Sequence, residues 1–134
     1  MDNAKLIKLA CEAMMGAYAP YSRFQVGAAL LTPDGKVYSG CNIENAAYGV
    51  TNCAERTAFF KAVSEGERQF SKIAVVGGIN GVLSDYAAPC GPCRQVMREF
   101  CEDDFEIVLY NGSESLVCRL DELLPLGFRN ENLK

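Results

Sequence analysis

The sequence predicts an α/β fold, a mixed β-sheet with helices on both faces, and three observations predict it. Helix-period and strand-period stretches follow one another in the order α β β α β α β β α. Two of the helical stretches lie between strands, which asks for right-handed crossovers and a mostly parallel region within the sheet. Two further pairs of strands are joined by short turns, which asks for antiparallel neighbours. With 134 residues, 49% of them hydrophobic, the chain has enough apolar side chains for one core, and residues 1–134 are expected to form a single domain.

The elements follow from local chemistry. Residues 3–17 place Leu6, Leu9, Ala10, Ala13 and Met14 on one helical stripe, with Asp2 or Asn3 able to cap the start and Gly16 able to end it. Residues 26–32 and 36–41 are strand-like and flank Thr32-Pro33-Asp34-Gly35, in which Pro sets the entry angle and Gly supplies a positive φ. Residues 42–52 are small and polar and lead into a helix at 53–65, where Ala54, Ala58, Phe59 and Ala62 recur before Gly66. Residues 73–76 form a short buried-type strand, and a Gly-containing loop carries the chain to a helix at 90–101 with Val96, Met97 and Phe100. Strands at 105–110 and 115–120 join through Asn111-Gly112, and Asp121 is expected to cap a last short helix that Pro125 or Gly127 ends.

Composition removes several classes of function. A net charge of −4 argues against a basic surface that tracks a phosphate backbone, so long nucleic acid is not an expected partner. No apolar run approaches the roughly 18 residues of a membrane span. Asp2, Lys5, Lys8 and Glu12 interrupt the N-terminal stretch as no secretory segment would, and a cytoplasmic location is expected. Seven cysteines without an export signal read as thiols or metal ligands rather than a disulfide framework. Histidine is absent, which excludes Ser-His-Asp and Cys-His nucleophilic sites and leaves thiolates or carboxylates to hold any transition metal.

Two motifs carry the chemistry. Cys90-Gly91-Pro92-Cys93 at a helix start has the spacing by which two thiolates bind one metal ion, and it is also the tetrapeptide of thioredoxin-like redox proteins. A redox domain of that kind would carry the pair early, whereas here it lies two-thirds of the way along the chain. Upstream, Cys53-Ala54-Glu55 sets a thiol and a carboxylate two residues apart at the start of another helix. A metal ligand followed by x-Glu, then by Pro-Cys-x-x-Cys, is the order found in zinc deaminases, and Pro89 completes it here.

On these motifs the chain resembles the small, homotetrameric-type cytidine deaminases. The resemblance runs over residues 21–128 and includes Phe24-Gln25-Val26-Gly27-Ala28-Ala29-Leu30, Cys41-Asn42-Ile43-Glu44-Asn45-Ala46 and Cys90-Gly91-Pro92-Cys93-Arg94-Gln95. It implies a three-layer αβα sandwich with a five-stranded mixed sheet, one zinc per chain on Cys53, Cys90 and Cys93, and hydrolytic deamination of cytidine and deoxycytidine in pyrimidine salvage. It further implies that Phe24 stacks on the pyrimidine, that Asn42 and Glu44 bond the ribose, and that the Ala54 amide meets the cytosine O2. Ala46, Tyr48 and Phe128 correspond to positions that close a neighbouring subunit's pocket, so a homotetramer with shared sites is implied. Pro92 departs from the residue often found between the family's cysteines.

The chemistry explains the set. Three protein ligands leave a fourth tetrahedral position for water, which a closed four-cysteine site does not. Glu55, off the metal, is then free to act in turn as base and acid. Three thiolates on a dication leave a formal charge of about −1, which two helix N-termini and either Arg56 or Arg94 could offset; the resemblance implies Arg56. Cys11, Cys101 and Cys118 read as small buried hydrophobes. Cys41 keeps open a structural four-cysteine site, which would give Glu55 no task.

Overall fold

The computed structural model describes residues 1–134. Nine principal elements follow in the expected order. They are α1 (Asn3–Met14), β1 (Phe24–Leu31), β2 (Val37–Cys41), α2 (Ala54–Ser64), β3 (Lys72–Ile79), α3 (Gly91–Phe100), β4 (Glu106–Tyr110), β5 (Ser115–Arg119) and α4 (Leu120–Leu123). Short 3₁₀ turns at Tyr48–Val50 and Asn130–Leu133 complete the chain.

The five strands form one sheet in the order β2-β1-β3-β4-β5. Only β3 and β4 pair in parallel; the other ladders are antiparallel. The expectation of a mostly parallel region is therefore corrected. The α2 crossover does return β3 in the direction of β2, but β1 lies between them, paired with β2 through the hairpin and with β3 along its whole length.

Strand alternation divides the interior into two cores. Ala28, Leu30, Ile73, Val75, Ile107 and Leu109 face α2, α3 and α4, where they meet Phe59, Met97 and Leu120. Ala29, Leu31, Ala74, Val76 and Val108 face Leu6, Ala10 and Met14 of α1. Burial on both faces explains why β1, β3 and β4 read as near-continuous apolar runs. Phe59 centres the first core, its ring 5.0 Å from that of Phe70 and 6.2 Å from those of Phe100 and Phe105. Replacing such a side chain by Ala costs about 3–5 kcal/mol.

Glycines set how closely the helices approach. A Cβ on Gly27 would sit 2.1 Å from the Ala10 carbonyl oxygen of α1, and one on Gly40 would sit 2.4 Å from the Ala54 carbonyl oxygen of α2. The first turn of α2 thus rests directly on the end of β2.

Several boundaries differ from the sequence expectation. The Asp2 carboxylate caps α1 by accepting from the Lys5 amide at 2.8 Å. The helix ends at Met14, Gly16 is not in the left-handed region, and Tyr18 bridges Ile43. Gly66, at φ +101°, closes α2 as expected. β3 runs on to Ile79, through Gly77 and Gly78, where a loop was expected. Those glycines are strand residues because the neighbours crowd them: a Cβ on Gly78 would lie 2.0 Å from the Val82 carbonyl oxygen. Asp121 does not cap α4. It pairs with the Arg119 guanidinium, and Glu122 accepts from the Arg119 amide instead.

Candidate metal centre and active-site cleft

Each of the two crossover helices begins at a cysteine. Cys53 and Cys90 are the N-cap residues of α2 and α3, both in extended conformation, and neither side chain caps its own helix. Their sulfurs turn toward each other instead, with Sγ atoms 3.7 Å apart. Cys93, on the face of α3 that also carries Cys90, brings its Sγ to 3.2 Å from that of Cys90. Pro92 sits in the first turn of α3, where it has no helix bond to break. The tetrapeptide that suggests redox chemistry is thereby accounted for by helix initiation.

The donor set fits zinc. All three sulfurs lie within 4.8 Å of one another. Three thiolates at about 2.3 Å from a tetrahedral ion would stand roughly 3.8 Å apart, close to the Cys53–Cys90 separation. Cys41 is outside the cluster, so the four-cysteine arrangement falls away. The N-termini of both helices lie at the cluster, since Cys53 and Cys90 are their N-cap residues, and the helix dipoles add partial positive charge there. Arg56 adds a full one: its Nη2 donates to Cys53 Sγ at 3.2 Å, and its buried Nε has no partner. Hydrogen bonding from Cys93, then from Arg56, holds the Cys53 thiol down at about 5 against the raising effect of burial.

Beside the cluster opens a cleft of about 350 Å³ whose lining includes Phe24, Val26, Asn42, Cys53, Ala54, Glu55 and Cys90. Glu55 is only 4% exposed. Burial pushes its carboxyl up to about 7, and the charge of a dication on the thiolates acts in the opposite direction. A buried carboxyl beside the cluster is placed to act as acid or base.

The sequence-predicted substrate residues divide into three groups. Phe24, Asn42 and Ala54 line the cleft. Asn42 is already engaged in shaping it, accepting from the Val26 amide at 2.9 Å and donating to the Phe24 carbonyl at 2.8 Å. One N–H and one lone pair remain for a ligand. Glu44 lies in an adjoining hollow of about 310 Å³ with Tyr21, Ser22, Tyr48 and Thr51. Its carboxylate accepts from the Ser22 hydroxyl and from the Ser22 and Tyr21 amides, which hold it below the usual range. Ala46 and Phe128 are exposed and line neither space, and Tyr48 is 73% exposed.

Other lining residues were not singled out from sequence: Thr51, Asn52, Tyr86, Ala87 and Ala88. The last three form the approach to Pro89-Cys90, and two small side chains beside a ligand motif were the signal available. Gly77 lies behind the wall. A Cβ there would stand 3.0 Å from Phe24 and 3.1 Å from both Ala87 and Val26. Helix α3, which carries Cys93, also holds the C-terminal segment. Gln95 donates to the Phe128 carbonyl at 2.8 Å, and Asp103 accepts from both the buried Arg98 and Arg129, each at 2.8 Å.

Comparison with known proteins settles the family. The profile described as the cytidine and deoxycytidylate deaminase zinc-binding region matches residues 1–109. The chain belongs to this zinc-binding deaminase family. Cytidine deaminase of Sporosarcina psychrophila is 52% identical over 134 residues, 99% of this chain and 96% of that one. Cytidine deaminase of Halalkalibacterium halodurans is 53% identical over 99% of this chain and 98% of its own. The crystal structure of cytidine deaminase from Burkholderia pseudomallei superposes with a TM-score of 0.89 at 50% identity, covering 96% of this chain and 100% of that chain. The three-layer fold with its five-stranded mixed sheet is thus that of cytidine deaminases, and the chain is a zinc-binding hydrolase of the same family. No helix is long and apolar enough to cross a membrane.

Proposed function

We propose that the cleft catalyses hydrolytic deamination of cytidine and deoxycytidine, consuming one water and releasing ammonia to leave uridine or deoxyuridine. The observation that carries this assignment is the convergence of a three-sulfur cluster, two of whose cysteines line the cleft, with one buried carboxyl on the same wall and off the cluster.

Cys53, Cys90 and Cys93 hold one zinc per chain. Zinc held there would supply a water of lowered pKa as the nucleophile. Glu55 accepts a proton from the attacking water and passes it to ring N3, then takes the proton of the new C4 hydroxyl and delivers it to the amine as the C4–N bond breaks and the C4 carbonyl forms. Phe24 offers a flat apolar face to the base. The Ala54 amide, in the first turn of α2 and without an intrahelical partner, donates to the cytosine O2. Asn42 turns its remaining donor and acceptor to the ribose, and Glu44 bonds a ribose hydroxyl from the adjoining hollow. Arg56 offsets the excess negative charge of the three thiolates.

The cleft of one chain is open at its mouth, and a nucleoside pocket buries most of its ligand. Ala46, Tyr48 and Phe128, exposed here, close the pocket of a neighbouring subunit in a homotetramer, most simply one of dihedral symmetry. The single domain acts in the cytoplasm, in pyrimidine salvage, on free nucleosides rather than long nucleic acid. Purified protein incubated with cytidine tests the activity. Ammonia and uridine form in equal amounts and a strong zinc chelator abolishes both; absence of turnover with a full zinc complement rejects the assignment.

A further inference from the structure

The metal half and the base half of the site meet at one hydroxyl. Thr57, in the first turns of α2, donates from Oγ1 to the Cys41 carbonyl at 3.0 Å and lies 3.2 Å from the Cys53 carbonyl. The Asn52 side chain donates to the same hydroxyl at 3.0 Å. Cys41 ends β2 and is followed by Asn42, whose side chain holds the backbone of Phe24 and Val26. Cys53 supplies a sulfur to the cluster. The Thr57 oxygen therefore joins the strand end that shapes the base cleft to the turn that presents a metal ligand. Directly beneath, a Cβ on Gly40 would stand 3.1 Å from Thr57 Cβ, so the helix turn is already at its closest approach to β2.

We propose that Thr57 is a positioning residue for the metal centre, its hydroxyl fixing where Cys53 presents its sulfur relative to the Asn42–Phe24 wall. A helical threonine often bonds the carbonyl four residues back, and that bond alone slightly weakens a helix. The bond to the Cys41 carbonyl is different in kind. It crosses from helix to sheet, and neither a valine nor an alanine can make it. Partners behind a metal ligand restrict its orientation, and their loss typically lowers metal affinity by about 10–100-fold.

This inference rests on Cys53 being a zinc ligand, so the test carries its own control. Zinc affinity is measured by chelator competition on wild type and on Thr57→Val, Thr57→Ser, Thr57→Ala and Cys53→Ala, with thermal unfolding in parallel. Thr57→Val, which keeps the shape and removes only the hydroxyl's bonds, weakens zinc by about tenfold or more. It still takes up one equivalent at saturating metal, and its kcat falls while KM changes less. Thr57→Ser restores the affinity. Wild-type affinity in Thr57→Val overturns the proposal. So does loss of soluble protein in both the Val and Ala variants, which makes the hydroxyl a folding requirement only. If Cys53→Ala retains full zinc affinity, the ligand assignment fails instead, and Thr57 has nothing to position.

Discussion

Arg56 reaches back along the first turn of α2 to place Nη2 3.2 Å from the sulfur of Cys53. The same helix thus carries one of the three clustered thiols at its N-cap, the cation that touches that thiol and, between them, the buried Glu55.

That pairing gives the first prediction. Three thiolates on a dication leave the site formally negative by about one charge, and negative charge disfavours ionisation of a water there. Arg56→Gln removes the nearest positive charge and leaves all three sulfurs. Zinc content stays at one per chain, and the acid limb of the kcat/KM profile moves to higher pH. A pH profile superimposed on that of wild type, or a variant that loses its metal as Cys53→Ala does, contradicts the role.

How much of this was legible from sequence depended on the range of the interactions. Helix periodicity, Asp2, the Pro33-Asp34-Gly35 turn and Gly66 are local signals, and they placed the elements in their true order. Local signals say nothing about which strand lies beside which, so the insertion of β1 between β2 and β3 was not visible. Gly77 and Gly78 read as a loop because glycine weakens a strand, yet packing against Phe24, Ala87 and Val82 requires them within β3. The three cysteines and Glu55 were legible because two spaced motifs name them. Thr57 was not, since its work is done through a carbonyl sixteen residues away.

Gly77 yields the second prediction. A methyl group there would press at once on Phe24, Val26 and Ala87, all of which line the cleft. Overpacking of this kind costs about 1–3 kcal/mol. Gly77→Ala therefore lowers thermal stability and, by pushing Phe24, Val26 and Ala87 into the cleft, raises the KM for cytidine, while zinc content is unchanged. Ala87→Gly in the same chain restores part of the loss by removing one of the opposing atoms. Steady-state kinetics with metal analysis decides; an unaltered KM means the wall yields without narrowing the cleft.

Phe128 carries the third. Its backbone is tied to α3 through Gln95, but the residue is 57% exposed and does not line the cleft of its own chain. If it closes a neighbour's pocket, an inactive Glu55→Ala chain mixed with an inactive Phe128→Ala chain regains part of the activity in reassembled oligomers. Native mass spectrometry establishes that mixed oligomers have formed. Mixed oligomers without recovered turnover place Phe128 outside the shared site.

The most direct test falls on Glu55, which is buried at the cleft but absent from the sulfur cluster. Glu55→Ala loses no metal ligand, and Ala suits the helix, so zinc content and fold persist. Cytidine still binds, since Phe24, Asn42, Glu44 and the Ala54 amide remain. Loss of a positioned acid or base typically slows a reaction by about 10²- to 10⁴-fold, and one carboxylate serving successive transfers puts the loss at or beyond the upper end. The measurement pairs metal content and cytidine affinity with single-turnover ammonia release. Full zinc, retained binding and a loss of about 10⁴-fold in rate are the predicted result; turnover within about tenfold of wild type, or loss of the zinc, contradicts Glu55 as the proton shuttle.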